Sequence, residues 1–177
     1  MEQTFVMLKP DAVSRGLVGK LVSRFERAGL KIVKMKMLVP DKVLVDKHYP
    51  SDDKWLSTVG GKTLDGYKSL GLDASKELGT SDAIAIGKKV KGWLVDFICS
   101  GTVVAMVLEG NHSVENVRRI VGPTIPFTAP PGTIRGDYSI DSPDLANKEK
   151  RPVKNLVHAS GTVDEAKFEI ELWFGKG

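Results

Sequence analysis

One cysteine, Cys99, stands in a chain of 177 residues, so no disulfide can close within it. That usage fits a reducing compartment. No stretch approaches the ~18 consecutive apolar residues that cross a bilayer, so no membrane association is expected. The first residues, Met1-Glu2-Gln3-Thr4-Phe5, lack the basic-then-apolar form of a secretory signal, and a cytoplasmic protein is expected. Internal repeats and low-complexity tracts are absent. Charge of one sign is scarcely in excess: 26 Lys+Arg against 22 Asp+Glu leave a net +4. That balance suits a phosphate-bearing ligand but is too weak to argue for a stable nucleic-acid partner. Hydrophobic residues at 41% and charged residues at 27% describe one ordinary globular domain with a buried core.

Several familiar signals are also missing. Gly61-Lys62-Thr63 resembles the end of a phosphate-binding loop, but that loop needs a glycine where Leu56 stands. Gly16-Leu17-Val18-Gly19-Lys20 fails as well, because Leu21 replaces the metal-binding hydroxyl residue. His48 and His112 have no thiol, carboxylate or imidazole at metal-ligand spacing and are expected on the surface. No dedicated metal site is expected.

Periodicity organises the remainder. Residues 4–9 read as a buried strand ending in Lys9, and apolar residues from Leu17 to Ala28 recur at helical spacing, giving a helix over about 14–28 capped by Gly29. Lysines alternate with Val33, Met35, Met37 and Val39 over 31–39, the period of a half-buried strand. A short helix over 41–48 follows. Residues 51–87 carry Gly60, Gly61, Gly66, Gly71, Gly79 and Gly87 among helical fragments and read as an inserted lobe within a single domain spanning 1–177. An amphipathic helix then contains Val90, Leu94, Val95 and Ile98, ahead of a strand over 102–108 and a helix around Val114–Val121. Residues 122–153 form a long proline-rich connection, and a connection of that length is usually functional. A strand carrying His158 and a last helix opened by Thr162-Val163-Asp164-Glu165 complete the chain. On that helix Val163, Ala166, Ile170 and Trp173 share an apolar arc, with Glu169 at its edge. The order predicts an α+β, ferredoxin-like βαββαβ sandwich with a four-stranded antiparallel sheet, one face covered by helices, and additional helices.

Two segments concentrate the chemistry. Asn155-Leu156-Val157-His158-Ala159-Ser160 sets an imidazole at a buried strand's end, and Pro131-Gly132-Thr133-Ile134-Arg135-Gly136-Asp137 is a rigid turn carrying a guanidinium. A ring nitrogen beside fixed positive charge is what phosphoryl transfer through histidine needs. Lys9, Arg118, Thr124 and Arg135 supply further phosphate donors.

These blocks, with Thr4-Phe5-Val6-Met7-Leu8-Lys9-Pro10-Asp11, Arg15-Gly16-Leu17-Val18-Gly19 and Ser100-Gly101-Thr102-Val103-Val104-Ala105-Met106, occur in the order found in nucleoside-diphosphate kinases, which the chain resembles over nearly its whole length. The resemblance implies ping-pong transfer of a γ-phosphoryl group from a nucleoside triphosphate to a diphosphate, with broad base specificity. His158 would be the nucleophile, Glu169 would orient its ring and Ser160 would steady Glu169. Lys9, Tyr49, Arg118, Thr124, Arg135 and Asn155 would bind the substrate, and Mg²⁺ would arrive on the nucleotide. A homo-oligomer, hexamer or tetramer, is implied too. Two positions depart from the family pattern: Val90 stands where an aromatic ring usually stacks on the base, and Pro152 replaces a valine. Trp93 or a residue of the lobe is a candidate replacement. A catalytically silent nucleotide- or nucleic-acid-binding module of the same fold is the alternative.

Overall fold

The computed structural model describes residues 1–175. β1 (Glu2–Leu8) and β3 (Val103–Gly110) are the central strands of a four-stranded sheet, with β2 (Lys31–Leu38) on one edge and β4 (Val157–Ala159) on the other. Strand order is β2-β3-β1-β4 and every pairing is antiparallel, the ferredoxin-like arrangement expected. Both faces of the sheet are covered, not one. On the first, Val6, Leu8, Met106 and Leu108 pack with Ala12 of α1 (Pro10–Ser14), Leu21 and Phe25 of α2 (Val18–Arg27), and Val117 and Val121 of α7 (Ser113–Val121). On the second, Phe5, Met7, Val103 and Ala105 meet Val45 of α3 (Lys42–His48), Val95 and Ile98 of α6 (Ala83–Cys99), and Trp173 of α10 (Val163–Phe174). This double cover explains why β1 and β3 read as unbroken apolar runs instead of alternating.

Three further expectations need correction. The helix expected over 14–28 is α2, which begins only at Val18, and the residues before it form the separate α1. Pro10 occupies the first turn of α1, where its missing N–H costs nothing, and Gly16 at φ +65° ends that helix before α2 begins. Gly29, at φ +85°, closes α2 as anticipated. β2 does not bury its apolar alternation: Met35 and Met37 are 45% and 59% exposed along a free sheet edge, and Val39, just beyond the strand, is 62% exposed. The 122–153 connection contains local structure: a 3₁₀ turn at Pro126–Thr128, α8 (Ile134–Tyr138) and α9 (Pro143–Lys148). Thr133 caps α8 by accepting from the Gly136 amide at 3.1 Å, and Ser142 caps α9 ahead of its proline.

Residues 51–87 fold as α4 (Asp53–Ser69), α5 (Ala74–Leu78) and the start of α6, around a small cluster of Tyr67, Ala74, Leu78 and Ile86. Gly61-Lys62-Thr63 lies inside α4. Here α4 and α6 approach to backbone contact. A Cβ at Gly60 would sit 1.8 Å from the Ala83 carbonyl oxygen, and one at Gly87 2.1 Å from that of Leu56.

Candidate active site

β4 pairs with β1 so that His158 lies directly opposite Met7. Opposed residues of an antiparallel pair share a face, so the ring leaves the sheet toward α3 and α10. The approach to β4 is strained. Leu156 has φ +68° and the Val157 amide donates to the Asn155 carbonyl at 2.7 Å, a γ-turn with a positive central φ. Such a backbone costs about 1–3 kcal/mol and persists only when its surroundings over-determine it. They do so here. The Leu156 amide donates to Asp11 Oδ2 at 3.1 Å, and the Leu156 carbonyl accepts from the Lys9 amide at 2.8 Å. Arg135, buried in α8, donates to the carbonyls of Asn155 (3.2 Å), Val157 (2.6 Å) and Gly122 (2.8 Å). Its guanidinium therefore clamps the backbone on both sides of the turn. Burial first, and then Arg118, bring its pKa down to about 10. Gly136 permits the clamp, since a Cβ there would lie 2.2 Å from the Pro130 carbonyl oxygen.

The turn also aims Asn155. Its Oδ1 accepts from Lys9 Nζ at 2.8 Å and its Nδ2 donates to the Thr124 carbonyl at 2.9 Å. Lys9 thereby has a fixed ammonium despite being almost fully buried. Burial, with Arg135 second, lowers its pKa to about 8, while Asp11 opposes.

Behind the imidazole, His158 Nε2 lies 2.6 Å from Glu169 Oε1, and Ser160 Oγ donates to Glu169 Oε2 at 2.6 Å. Glu169 is 1% exposed, facing inward from α10 instead of lying at the edge of its apolar arc, while Val163, assigned to that arc, is 41% exposed. Burial raises the Glu169 pKa, opposed by His48 and by the Ser160 hydrogen bond. A carboxylate accepting from Ser160 and from the ring fixes the proton on Nε2, which leaves Nδ1 with a free lone pair. Burial, then Lys9, hold the His158 pKa well below the ordinary imidazole value; Glu165 opposes, and Arg135 and Arg118 reinforce. The ring is neutral at pH 7.

His48 corrects a further expectation. It is buried, not superficial, and its ring meets that of His158 edge-on at 4.5 Å. Trp173 Nε1 donates to His48 Nδ1 at 3.3 Å. Burial foremost brings the His48 pKa down to about 3, so its 3.4 Å approach to Glu169 is not an ion pair. His48, His158 and Glu169 bring three potential metal-ligand atoms within 4.8 Å. The 2.6 Å His158–Glu169 contact is, however, a hydrogen bond, with no room for an ion between. Helical spacing on α3 could have found His48, three residues after buried Val45.

In front of the ring opens a cavity of ≈ 480 Å³. Lys9, Tyr49, Arg118, Thr124, Arg135, Asn155 and His158 all line it, so the structure brings these predicted residues to one place, with Glu169 and Ser160 behind. The Tyr49 hydroxyl is buried with no hydrogen-bond partner among the described residues, and burial pushes its pKa up. The far end is built by residues whose contribution the sequence left open: Val59, Lys62 and Thr63 of α4, Val90 and Trp93 of α6, Asn147 of α9, and Arg151-Pro152.

Comparison with known proteins gives a consistent result. The sequence model described as "Nucleoside diphosphate kinase" matches residues 2–55 and 84–177. A nucleoside diphosphate kinase of Pyrobaculum aerophilum is 54% identical over 98% of this chain and 95% of its own. The crystal structure of an NDP kinase from that organism superposes with a TM-score of 0.96 at 53% identity, covering 98% of this chain and 95% of the other. A transition-state mimic of the Borrelia burgdorferi nucleoside-diphosphate kinase, with bound vanadate and ADP, gives a TM-score of 0.75 at 37% identity, over 98% and 86% of the two chains.

Proposed function

The chain belongs to the nucleoside diphosphate kinase family, and from that premise we propose that it transfers the terminal phosphoryl group of a nucleoside triphosphate to a nucleoside diphosphate through His158. The observation that carries this reading is the 2.6 Å contact of His158 Nε2 with Glu169. It leaves Nδ1 unprotonated on a neutral ring, so no base has to remove a proton before attack. The Nδ1 lone pair forms a bond to the γ-phosphorus as the bond to the bridging oxygen breaks, and the diphosphate leaves with that electron pair. A terminal oxygen of a second diphosphate then attacks phosphorus and the N–P bond breaks, which restores the free imidazole.

Catalysis of this kind depends on position and charge neutralisation. Lys9, Arg118 and the remaining N–H groups of Arg135 neutralise the phosphate oxygens, with the Thr124 and Tyr49 hydroxyls as further donors. Asn155 holds the Lys9 ammonium and contacts the sugar. Glu169 orients the ring and Ser160 steadies Glu169. The donor set suits Mg²⁺ that is carried mainly by the substrate: Glu165 is the sole carboxylate among the described cavity-lining residues, enough to hold the water shell of an ion that needs few protein ligands. When bound, such an ion would neutralise the nucleotide's phosphates.

Broad base specificity follows if the base is held mainly by its faces. The exposed apolar edge of β2 supports a homo-oligomer, a hexamer or tetramer, since a free strand with Met35 and Met37 exposed invites pairing. Residues 51–87 are an inserted lobe of one domain. No helix among the described residues is long and apolar enough to cross a membrane, and with its one cysteine the chain fits the cytoplasm.

Incubation with γ-labelled nucleoside triphosphate tests the reading. The protein should acquire an acid-labile, alkali-stable label that chases onto added diphosphate. His158→Ala should take up none while keeping its fold by circular dichroism. Labelling of that variant at the wild-type level would falsify the assignment.

A further inference from the structure

The cavity has two chemically distinct ends, and resting on the reading above, the geometry points to Asn147 as a residue that reads the edge of the nucleotide base. Phosphates, ribose and base are strung in line. A γ-phosphorus delivered to His158 therefore sends the base away from Lys9 and Arg135, toward the end walled by α4, α6 and α9. That end offers apolar surface from Val59, Val90 and Trp93 beside the polar Lys62, Thr63 and Arg151. Asn147 lines it too, is only 8% exposed, and its carboxamide has no hydrogen-bond partner among the described residues. The amide atoms are open to the cavity and not sealed in the interior, so they are free to pair with a ligand that enters it.

Asn147 is also held firmly in place. Its backbone carbonyl accepts from the Tyr67 hydroxyl at 2.7 Å and from the Lys150 amide at 3.1 Å. Its Nδ2 lies where Gly66 of α4 has no side chain: a Cβ there would come within 2.5 Å of that nitrogen. The lobe thus backs the carboxamide on its nitrogen side, while the residue borders the cavity. A carboxamide offers a donor and an acceptor side by side, the complement of the N7 acceptor and N6 amino donor of adenine. Guanine, with two acceptors on that edge, satisfies half of the pair. Asn147 therefore adds a modest preference for adenine nucleotides to a site that grips every base by its faces.

Equilibrium binding of ADP and 7-deaza-ADP, measured by calorimetry, tests this without requiring turnover. The wild-type protein should bind ADP about twofold to twelvefold more tightly than the analogue lacking N7, the worth of one net hydrogen bond. Asn147→Leu keeps the branching at Cγ without the polar atoms and should bring the ratio close to one. If that variant does not fold, Gly66→Ala carries the test, because its added methyl occupies the place of Nδ2 and should displace the amide, with the same loss of discrimination. Equal binding of the two nucleotides by wild type, or an unchanged ratio in a folded variant, overturns the assignment. The γ-label experiment reports separately on the kinase reading: a protein that discriminates in binding but takes no label keeps Asn147 and loses His158.

Discussion

The catalytic half of the molecule and the α4–α6 lobe are held together by different physics. Around His158, parts of the chain far apart in sequence are tied by hydrogen bonds to backbone carbonyls. Arg135 clamps Gly122, Asn155 and Val157, and Ser160 and the ring both converge on Glu169. In the lobe the corresponding task falls to shape: Gly60 and Gly87 let two helices touch backbone to backbone around a small apolar cluster. Hydrogen bonds fix the direction in which a group points, whereas close packing fixes how far apart two surfaces stand. On the proposed function, the first half would set the rate at phosphorus and the second the dimensions of the space left for the rest of the nucleotide.

The largest expected effect is on the catalytic side. Glu169→Gln keeps the shape but loses the charge that accepts from both Ser160 and the imidazole. Loss of such an orienting partner costs about 10–100-fold, and rapid-quench phosphorylation should slow by that factor while ADP affinity holds. A matching loss of affinity would mean that the carboxylate supports the cavity itself, and the division between the halves would blur.

The lobe should answer in the opposite way. Gly87→Ala drives a methyl against the Leu56 carbonyl, and backbone cannot yield as a side chain tip does. Overpacking of this kind costs roughly 1–3 kcal/mol, read as a lower denaturation midpoint, together with weaker nucleotide binding as α4 and α6 part. The reaction of His158 with a small phosphoryl donor such as phosphoramidate, which has no base or ribose to place, should be nearly unchanged. A variant that loses both reactions equally would show the two halves to be one cooperative unit.

The same contrast governs what could be read from the sequence. Part of the cavity wall, with Ser160 behind it, was legible because the residues lie in short blocks: Asn155, His158 and Ser160 within six residues, and Arg135 in a turn whose Gly136 has no steric alternative. His48 was missed since its partners, His158, Glu169 and Trp173, are more than a hundred residues away. The second covered face of the sheet escaped for a related reason. Apolar runs in β1 and β3 are compatible with burial on one face or both, and only the placement of α3, α6 and α10 decides. β2 misled in the other direction, its alternation of lysines with Val33, Met35 and Met37 marking an apolar stripe that this chain leaves uncovered. Asn147 carried no local signal at all, because its isolation is a property of the packed lobe.

The smallest effect asked of the comparison is a matter of pH. Lys9 belongs to the hydrogen-bonded half and is charged at neutrality, with its pKa lowered to about 8 chiefly by burial. As pH rises through that value the free protein loses an ammonium that neutralises phosphate, so kcat/KM should fall along an alkaline limb near pH 8. Lys9→Arg should run more slowly and move that limb upward, since a guanidinium keeps its charge. Stability should respond with the other sign. Unfolded, the lysine returns to its ordinary value of 10.5, so between about pH 8 and 10.5 the unfolded chain binds more protons than the folded one. Folding free energy then becomes more favourable as pH rises. Subtracting the unfolding free energy of Lys9→Met from that of wild type isolates this residue from the tyrosines titrating nearby. The difference should increase with pH over the interval in which activity declines. A flat difference would mean that the ammonium is solvated in the resting protein and that burial is not what tunes it.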